Sequence, residues 1–244
     1  MSTFLEVTAD RILSRTEVQR MLKELERERA AAMVGVGRTS FVTDYYLLRI
    51  TLNTGLRISE VAELQWRDVH EGFLIIRLGK GKKRRPHPLD KRRAELEQML
   101  KLELPARMRK ETRKELAKIL RVLRATNRRT VYFGAETQGL LNAFKAWKIS
   151  QGESCGHTAN LFIGARGPLT RYGIHERWTY WKNRLGFPEE IVFHSIRHYY
   201  ATFLLEQGVS IAMVSRQLGH ASSIYTAGYL HHTTEARARI VALL

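Results

Sequence analysis

Cysteine is almost missing from this sequence. A single thiol, Cys155, among 244 residues excludes any intrachain disulfide, which fits a reducing compartment. Cys155 stands in a glycine-bearing turn (Gly152, Gly156) with only His157 near it in sequence, so a thiol nucleophile is not expected. No apolar run approaches the ~20 residues that span a bilayer. The first ten residues, MSTFLEVTAD, have no basic stretch leading into an apolar one, so no secretory leader is expected. There is no zinc-type His/Cys spacing and no glycine-rich nucleotide loop, so neither a metal nor a cofactor is expected. Repeats and low-complexity tracts are missing too. These exclusions leave a soluble, cytoplasmic protein as the expectation.

Acidic residues are the other shortage. Against 41 Lys and Arg stand 24 Asp and Glu, a formal charge of +17 with a sequence pI near 10.3. An excess of this size marks a polyanion partner, with nucleic acid the first candidate and nucleoid association the expected setting. A basic protein that binds nothing in particular has the same balance, so charge alone does not decide. With 44% hydrophobic residues the chain can bury a core.

Periodicity gives the elements. Ser14-Arg15-Thr16-Glu17 has capping-box spacing and opens a helix to about Met33, with Val18, Met21, Leu22 and Leu25 at helical intervals and Gly35 and Gly37 ending it. A second helix runs from Ser40 to Asn53 and stops at Gly55. Arg57 follows in TGLRISEVAELQW, in the turn before a third helix that Ser59 is expected to cap and that carries Glu60, Val61, Leu64 and Trp66. Phe73–Leu78 reads as a strand. GKGKKRR and PHPL come next, giving a hairpin with a basic tip of Lys80, Lys82, Lys83, Arg84 and Arg85. Residues 91–132 read as a helical, charge-rich insertion broken at Pro105, with Leu116, Ile119, Leu120 and Leu123 at helical spacing. It could lie on DNA, pack on a neighbouring subunit or be a solvated helical hairpin. Beyond it the pattern predicts a helix over 139–149 and a strand-like NLFIG. A helix opened by Thr170 follows, with Ile174, Trp178, Trp181 and Leu185, ended by Gly186. A helix from Ile196 to Gln207 is closed by Gly208, and another is capped by Ser210 and ended by Gly219. Residues 1–12 are a lead-in and 233–244 a tail helix. The class is mainly α with a small antiparallel β-sheet (α+β), in one domain over 1–244.

The residues able to do chemistry cluster late, in HSIRHYYATFLLEQGVSIAMVSRQLGHASSIYTAGYLHH. From His194 it is three residues to Arg197, 23 more to His220 and nine more to Tyr229. Arginine, histidine and tyrosine side chains are the parts needed to attack a phosphodiester without a metal. Taken singly, each has a plainer explanation. Arg57 is one arginine among many, Lys80 a solvated turn, and His194 and His220 structural histidines. Tyr199 and Tyr200 are expected to pack in the core, and His198 and His231 to bond locally. Tyr225 stands one helical turn before Tyr229.

Together, Arg57 in TGLRISE, Lys80 in GKGKKRR, His194 and Arg197 in HSIRH, His220 in LGH and Tyr229 in YLHH resemble the tyrosine recombinase (phage integrase) superfamily, from about Leu13 to Tyr229. Members usually carry a core-binding domain of helices before the catalytic domain, whereas here the match starts near residue 13. The interval between Lys80 and His194 is also long for the family. The resemblance implies two guanidiniums, Arg57 and Arg197, on the scissile phosphate. It makes Tyr229 the nucleophile, His194 a general base, Lys80 a general acid toward the 5′-hydroxyl, His220 a donor to a non-bridging oxygen, and Glu60 the acid that orients the site. It implies site-specific recombination through a 3′-phosphotyrosyl intermediate, without metal or ATP. Double-stranded DNA is the implied partner, with a monomer in free solution, a homodimer on a site and a tetramer in synapsis. Lys82, Lys83, Arg84, Arg85, Arg171, Arg177 and Lys182 are candidate DNA contacts. Relaxation of the topoisomerase IB kind, or a DNA-binding regulator without catalysis, are the alternatives. RIVALL at the end of the chain either caps its own core or passes to a neighbouring subunit.

Overall fold

The computed structural model describes residues 12–77, 88–126 and 128–219. The capping box forms as its spacing requires: the Ser14 hydroxyl accepts the Glu17 N–H, and the Ser14 N–H donates to the Glu17 carboxylate at 2.7 Å. It opens α1 (Arg15–Met33), which buries Val18, Met21 and Leu25 against α2 (Ser40–Thr54). α2 is buried on nearly every side, continuously from Phe41 to Leu48. A helix without a polar face belongs at the centre of its domain. α1, α6 (Ala135–Ser150) and α8 (Phe193–Glu206) all pack on it.

The polar groups of α2 are matched internally. The Thr51 and Thr54 hydroxyls donate to the carbonyls of Leu47 and Ile50, one turn back. Asp44, 3% exposed, accepts from the Trp181 indole N–H at 2.9 Å and from the Arg177 guanidinium, both on α7 (Arg171–Arg184). The hydroxyl of Thr170 caps α7 by accepting the Gly173 N–H, and the helix buries Ile174, Trp178 and Trp181. Ser210 caps α9 (Ile211–Leu218) in the same way, and Gly219 closes it in the left-handed region (φ 66°).

The chain divides into two compact units, residues 1–75 with 130–244, and residues 76–129. In the second, α4 (Leu89–Met99) and α5 (Ala106–Thr126) break around Pro105 as expected. They pack through Leu96 and Ile119 with Leu89, Met99 and Leu116. The Arg92 guanidinium meets the Glu115 carboxylate at 2.9 Å. One sheet has the order β1 (Val69–His70), β2 (Phe73–Arg77), β3 (Arg128–Tyr132), and a second pairs β4 (Ile163–Gly164) with β5 (Gly167–Pro168). No helix among the described residues is long and apolar enough to cross a membrane.

Several expectations need correction. Ser59 does not cap the third helix: α3 (Ile58–Glu63) has Arg57 at its N-cap, and Ser59 lies inside it. Nor does that helix reach Leu64 and Trp66. Leu64 turns extended, and residues 64–67 exchange backbone bonds with residues 157–161: Leu161 N–H to Leu64 O, Trp66 N–H to Ala159 O and Arg67 N–H to His157 O. Tertiary pairing here outcompetes helical periodicity. Residues 128–132 are strand, not helix, because Thr130-Val131-Tyr132 suits a pleat and Val131 is fully buried. Among the described residues β2 has β1 and β3 as neighbours, and the basic tip and returning strand of the expected hairpin fall within residues 78–87, outside the described residues. NLFIG contributes only β4, with Leu161 and Phe162 buried ahead of it. α6 starts a turn earlier than expected. So does α8, where the Ser195 hydroxyl accepts the otherwise unbonded Val192 N–H at 3.1 Å.

Removing the Asp44 carboxylate strands Arg177 and the Trp181 indole. Asp44→Ala is expected to cost about 3 kcal/mol, the low end for breaking a buried ion pair because Arg177 still reaches solvent. Asp44→Asn, which keeps an acceptor, should cost less. Urea midpoints at unchanged m-value measure both, and equal losses for the two variants would refute the hydrogen-bonding account.

Candidate active site

The site is built where α2, α8 and α9 end or begin. Gly55 terminates α2 at φ 61° and turns the chain so that Arg57 lies at the start of α3. The Arg57 backbone N–H donates to Glu60 Oε2 at 2.8 Å, and its Nη1 donates to Glu60 Oε1 at 3.0 Å. The Glu60 side chain is almost wholly buried, while that of Arg57 is 31% exposed. A fixed carboxylate thus holds the base of a guanidinium whose far edge remains accessible.

Arg197 reaches the same place from α8. It is 1% exposed, one of the largest fully buried side chains. Its Nη1 donates to the Gly55 carbonyl at 2.7 Å, and its Nη2 donates to the Leu218 carbonyl. Arg57 Nη1 also donates to Leu218 O, at 3.3 Å, and Arg57 Nη2 to Gly219 O, at 3.4 Å. Both guanidiniums therefore converge on one carbonyl oxygen at the end of α9. Helix C-termini leave carbonyls without intrahelical donors and carry partial negative charge, which two arginines satisfy.

Gly55 is required here for two reasons. Its φ lies in the left-handed region, and a Cβ on it would fall 2.3 Å from Tyr200 Cδ1 and 3.0 Å from Leu218 Cδ2. Gln217 supplies a further tie that sequence reasoning missed. Its Nε2 donates to the Tyr132 carbonyl at 2.6 Å and to Tyr200 Oη at 3.0 Å, while its Oε1 accepts the Tyr132 N–H at 3.1 Å. The one available signal was its place directly before Leu218-Gly219-His220.

His194 occupies the first turn of α8, its ring edge-on to His198 with centroids 4.6 Å apart. Crowding by the surrounding protein, then the Arg197 and Arg57 charges, push its pKa down to about 4, against an upward pull from Glu60. The residue is nonetheless exposed by area, so water offsets part of the crowding. The two guanidiniums act in the same direction either way, and the imidazole is neutral at pH 7.

The structure thus brings Arg57, Glu60, His194 and Arg197 together. Lys80, Lys82, Lys83, Arg84, Arg85, His220, Tyr225 and Tyr229 lie outside the described residues. Arg171 is exposed at the first position of α7. Arg177 donates to the Asp44 carboxylate and to the Ser40 carbonyl, so its guanidinium has an internal structural role. Lys182 Nζ donates to the Glu189 carbonyl at 3.5 Å. Tyr200 is buried and Tyr199 partly so, as expected of packing residues. The Cys155 thiol is pushed up by burial, which does not suit a nucleophile. Among the described residues no group of three His, Cys, Asp or Glu side chains could hold a metal ion.

The chain belongs to the phage integrase family, whose profile matches residues 11–236. It is 28% identical over 221 residues to tyrosine recombinase XerA of Pyrococcus horikoshii, covering 88% of this chain and 60% of that protein. It therefore spans less than two thirds of this relative's length. The crystal structure of XerA recombinase shares the fold at a TM-score of 0.62 and 19% identity, over 95% of this chain and 64% of that one. The XerH site-specific recombinase bound to palindromic difH substrate, in a post-cleavage complex, shares it at 0.61 and 19% identity, over 96% and 53%.

Gly186, also at φ 61°, has open space where a Cβ would stand. Gly55→Ala should therefore destabilise the protein by at least about 1 kcal/mol more than Gly186→Ala, the shared left-handed strain of about 1–2 kcal/mol cancelling. Chemical denaturation measures the difference, and equal losses would show that Tyr200 and Leu218 yield freely.

A second expectation concerns acid. With the folded pKa of His194 near 4 and the unfolded value at 6.5, the unfolded chain binds more protons between those limits. The contribution of His194 is therefore present above about pH 6.5 and lost as pH falls toward 4. His194→Gln should flatten the pH dependence of stability in that window. An unchanged profile would mean that the imidazole is not held neutral by its neighbours.

Proposed function

We propose that this chain is a site-specific DNA recombinase that cleaves and rejoins strands through a phosphotyrosyl intermediate. The observation that carries this reading is the convergence of Arg57 and Arg197 on one oxygen, with the neutral imidazole of His194 beside them. A phosphodiester repels nucleophiles because it is anionic. Two guanidiniums around a single oxygen neutralise it and stabilise the extra charge of a pentacoordinate transition state. Arginine suits this because it stays protonated and has five N–H donors, enough to serve the carbonyls of Gly55, Leu218 and Gly219 and a phosphate oxygen.

In the proposed reaction Tyr229 Oη attacks phosphorus. His194, neutral near pH 7, takes the phenolic proton. The bond to the 5′ oxygen breaks, and that oxygen leaves as a hydroxyl with a proton from Lys80. His220 donates a hydrogen bond to a non-bridging oxygen. The product is a 3′-phosphotyrosyl ester and a free 5′-hydroxyl. One ester is exchanged for another, so a 5′-hydroxyl from a second strand can reverse the step without nucleotide hydrolysis. Glu60 acts as a positioning residue, through Arg57. Double-stranded DNA is the substrate, and recombination between two sites requires a dimer on each and a tetramer in synapsis. The DNA-bound XerH likeness supports this partner class.

The test is a nicked suicide duplex carrying a site selected from a randomised pool by binding to the whole chain. A covalent protein–DNA adduct should form with the parent and with Tyr225→Phe, and vanish with Tyr229→Phe. Arg57→Ala and Arg197→Ala should each slow adduct formation by about 10²–10³-fold, the range for losing one preorganised donor. An adduct that survives Tyr229→Phe would overturn the assignment of the nucleophile, and no adduct on any bound site would overturn the reaction.

A further inference from the structure

The excess of positive charge is not spread over the molecule. Residues 76–129 hold 20 Lys and Arg against 6 Asp and Glu, so this unit carries +14 of the chain's +17 and the other 190 residues carry +3. Within the unit the cations are sorted a second time, on α5. Arg107, Lys110, Arg113, Lys114 and Lys118 are all exposed. At about 100° per residue they fall within roughly 140° of the helix circumference, along ~17 Å of its length. Between Arg107 and Lys118 only Ala117 shares that arc. Glu111 and Glu115 fall beyond its edge, and Glu115 is taken up by Arg92 of α4. Arg107 meets Glu111 at 3.5 Å. No described carboxylate pairs with Lys110, Arg113, Lys114 or Lys118, whereas many arginines elsewhere are paired: Arg15 with Glu206, Arg49 with Glu136, and Arg184 with Glu24 and Glu28.

From this sorting we infer that the exposed cationic face of α5 is a second nucleic-acid-binding surface, one that grips duplex phosphates without reading bases. An unpaired row of like charges repels itself and lowers the stability of the helix that carries it, a cost offset when an anionic partner is bound. A rigid duplex has one negative charge per ~1.7 Å of its axis, so a ~17 Å row faces several phosphates at once. A strongly amphipathic basic helix also suits an anionic membrane, but that use needs a free apolar face. The apolar stripe of α5, Leu116 and Ile119, is closed against Leu89, Leu96 and Met99 of α4. Met108 and Val122 are exposed as well, but they lie off the cationic arc, with Glu111 and Glu115 on the same side, and form no continuous apolar face. The helical pair follows directly on the basic segment that bears Lys80. The inference rests on the reading of the chain as a DNA-binding recombinase, and it assigns the α4–α5 pair to affinity and not to chemistry.

The experiment uses the whole chain and a quadruple variant, Lys110→Gln, Arg113→Gln, Lys114→Gln and Lys118→Gln. All four positions are exposed and outside the α4–α5 core, so the melting temperature serves as the check on folding. Binding to a fluorescent 30-base-pair random duplex is measured by anisotropy across a salt series. The variant should lose at least tenfold in affinity near 0.1 M salt, and its slope of log K against log salt should flatten by up to about 3.6, or 0.9 for each of four lost phosphate contacts. At saturating DNA it should still form the covalent adduct with the suicide duplex. Equal slope and affinity in parent and variant would overturn the inference and leave the recombinase reading intact. So would a loss of binding to phosphatidylserine vesicles with DNA binding unchanged. A parent that binds no duplex at any salt would overturn the recombinase reading itself.

Discussion

The structure depends on one carbonyl oxygen. Leu218 ends α9 with an acceptor that its own helix cannot satisfy, and two guanidiniums from distant parts of the chain, Arg57 and Arg197, satisfy it together. Two such cations repel each other. They are held close by what surrounds them: the buried carboxylate of Glu60, the Gly55 carbonyl and the negative end of a helix. The arrangement is preorganised, because each arginine is held by acceptors of the protein itself. Arg197 is nearly sealed in the core and Arg57 is partly open, so the pair combines a fixed member with an accessible one. The depressed pKa of His194 follows from the same concentration of positive charge.

Most of the helical frame was legible because local chemistry and global packing agree along it. Ser14 with Glu17, Thr170 and Ser210 are caps whose hydroxyls form the bonds their spacing announces. Gly55, Gly186, Gly208 and Gly219 all stand at positive φ, at or just past helix ends. Periodicity failed where a partner distant in sequence supplied the hydrogen bonds. Leu64 and Trp66 follow helical spacing but leave the helix because residues 157–161 offer backbone groups to pair with. Residues 128–132 follow a long helical pattern but join a sheet, since β2 had an edge to fill.

The site was legible as a set of residue types and not as a geometry. The resemblance to the tyrosine recombinases implied that Arg57, His194 and Arg197 converge. Nothing in the sequence said that the point of convergence is the main chain of Leu218, or that Gln217 joins α9 to β3. Main-chain acceptors carry no residue-type signal, and so the groups that hold the arginines could be found only in three dimensions. Arg177, a candidate DNA contact in the sequence, has an internal partner that the sequence did not announce. Its partner, Asp44, lies 133 residues away on α2.

Gly219 is fixed by its left-handed turn and by the Arg57 bond to its carbonyl. Everything downstream is therefore tethered to the arginine pair. Tyr229 follows ten residues later, and a chain of that length spans at most about 35 Å when fully drawn out. Chain length therefore sets an upper bound of that size on the separation of the Gly219 and Tyr229 Cα atoms. The bound is ample for its own active site and comparable to the width of a small domain, so chain length permits delivery to either the parent subunit or an adjoining one. The choice falls to whatever packs the last residues.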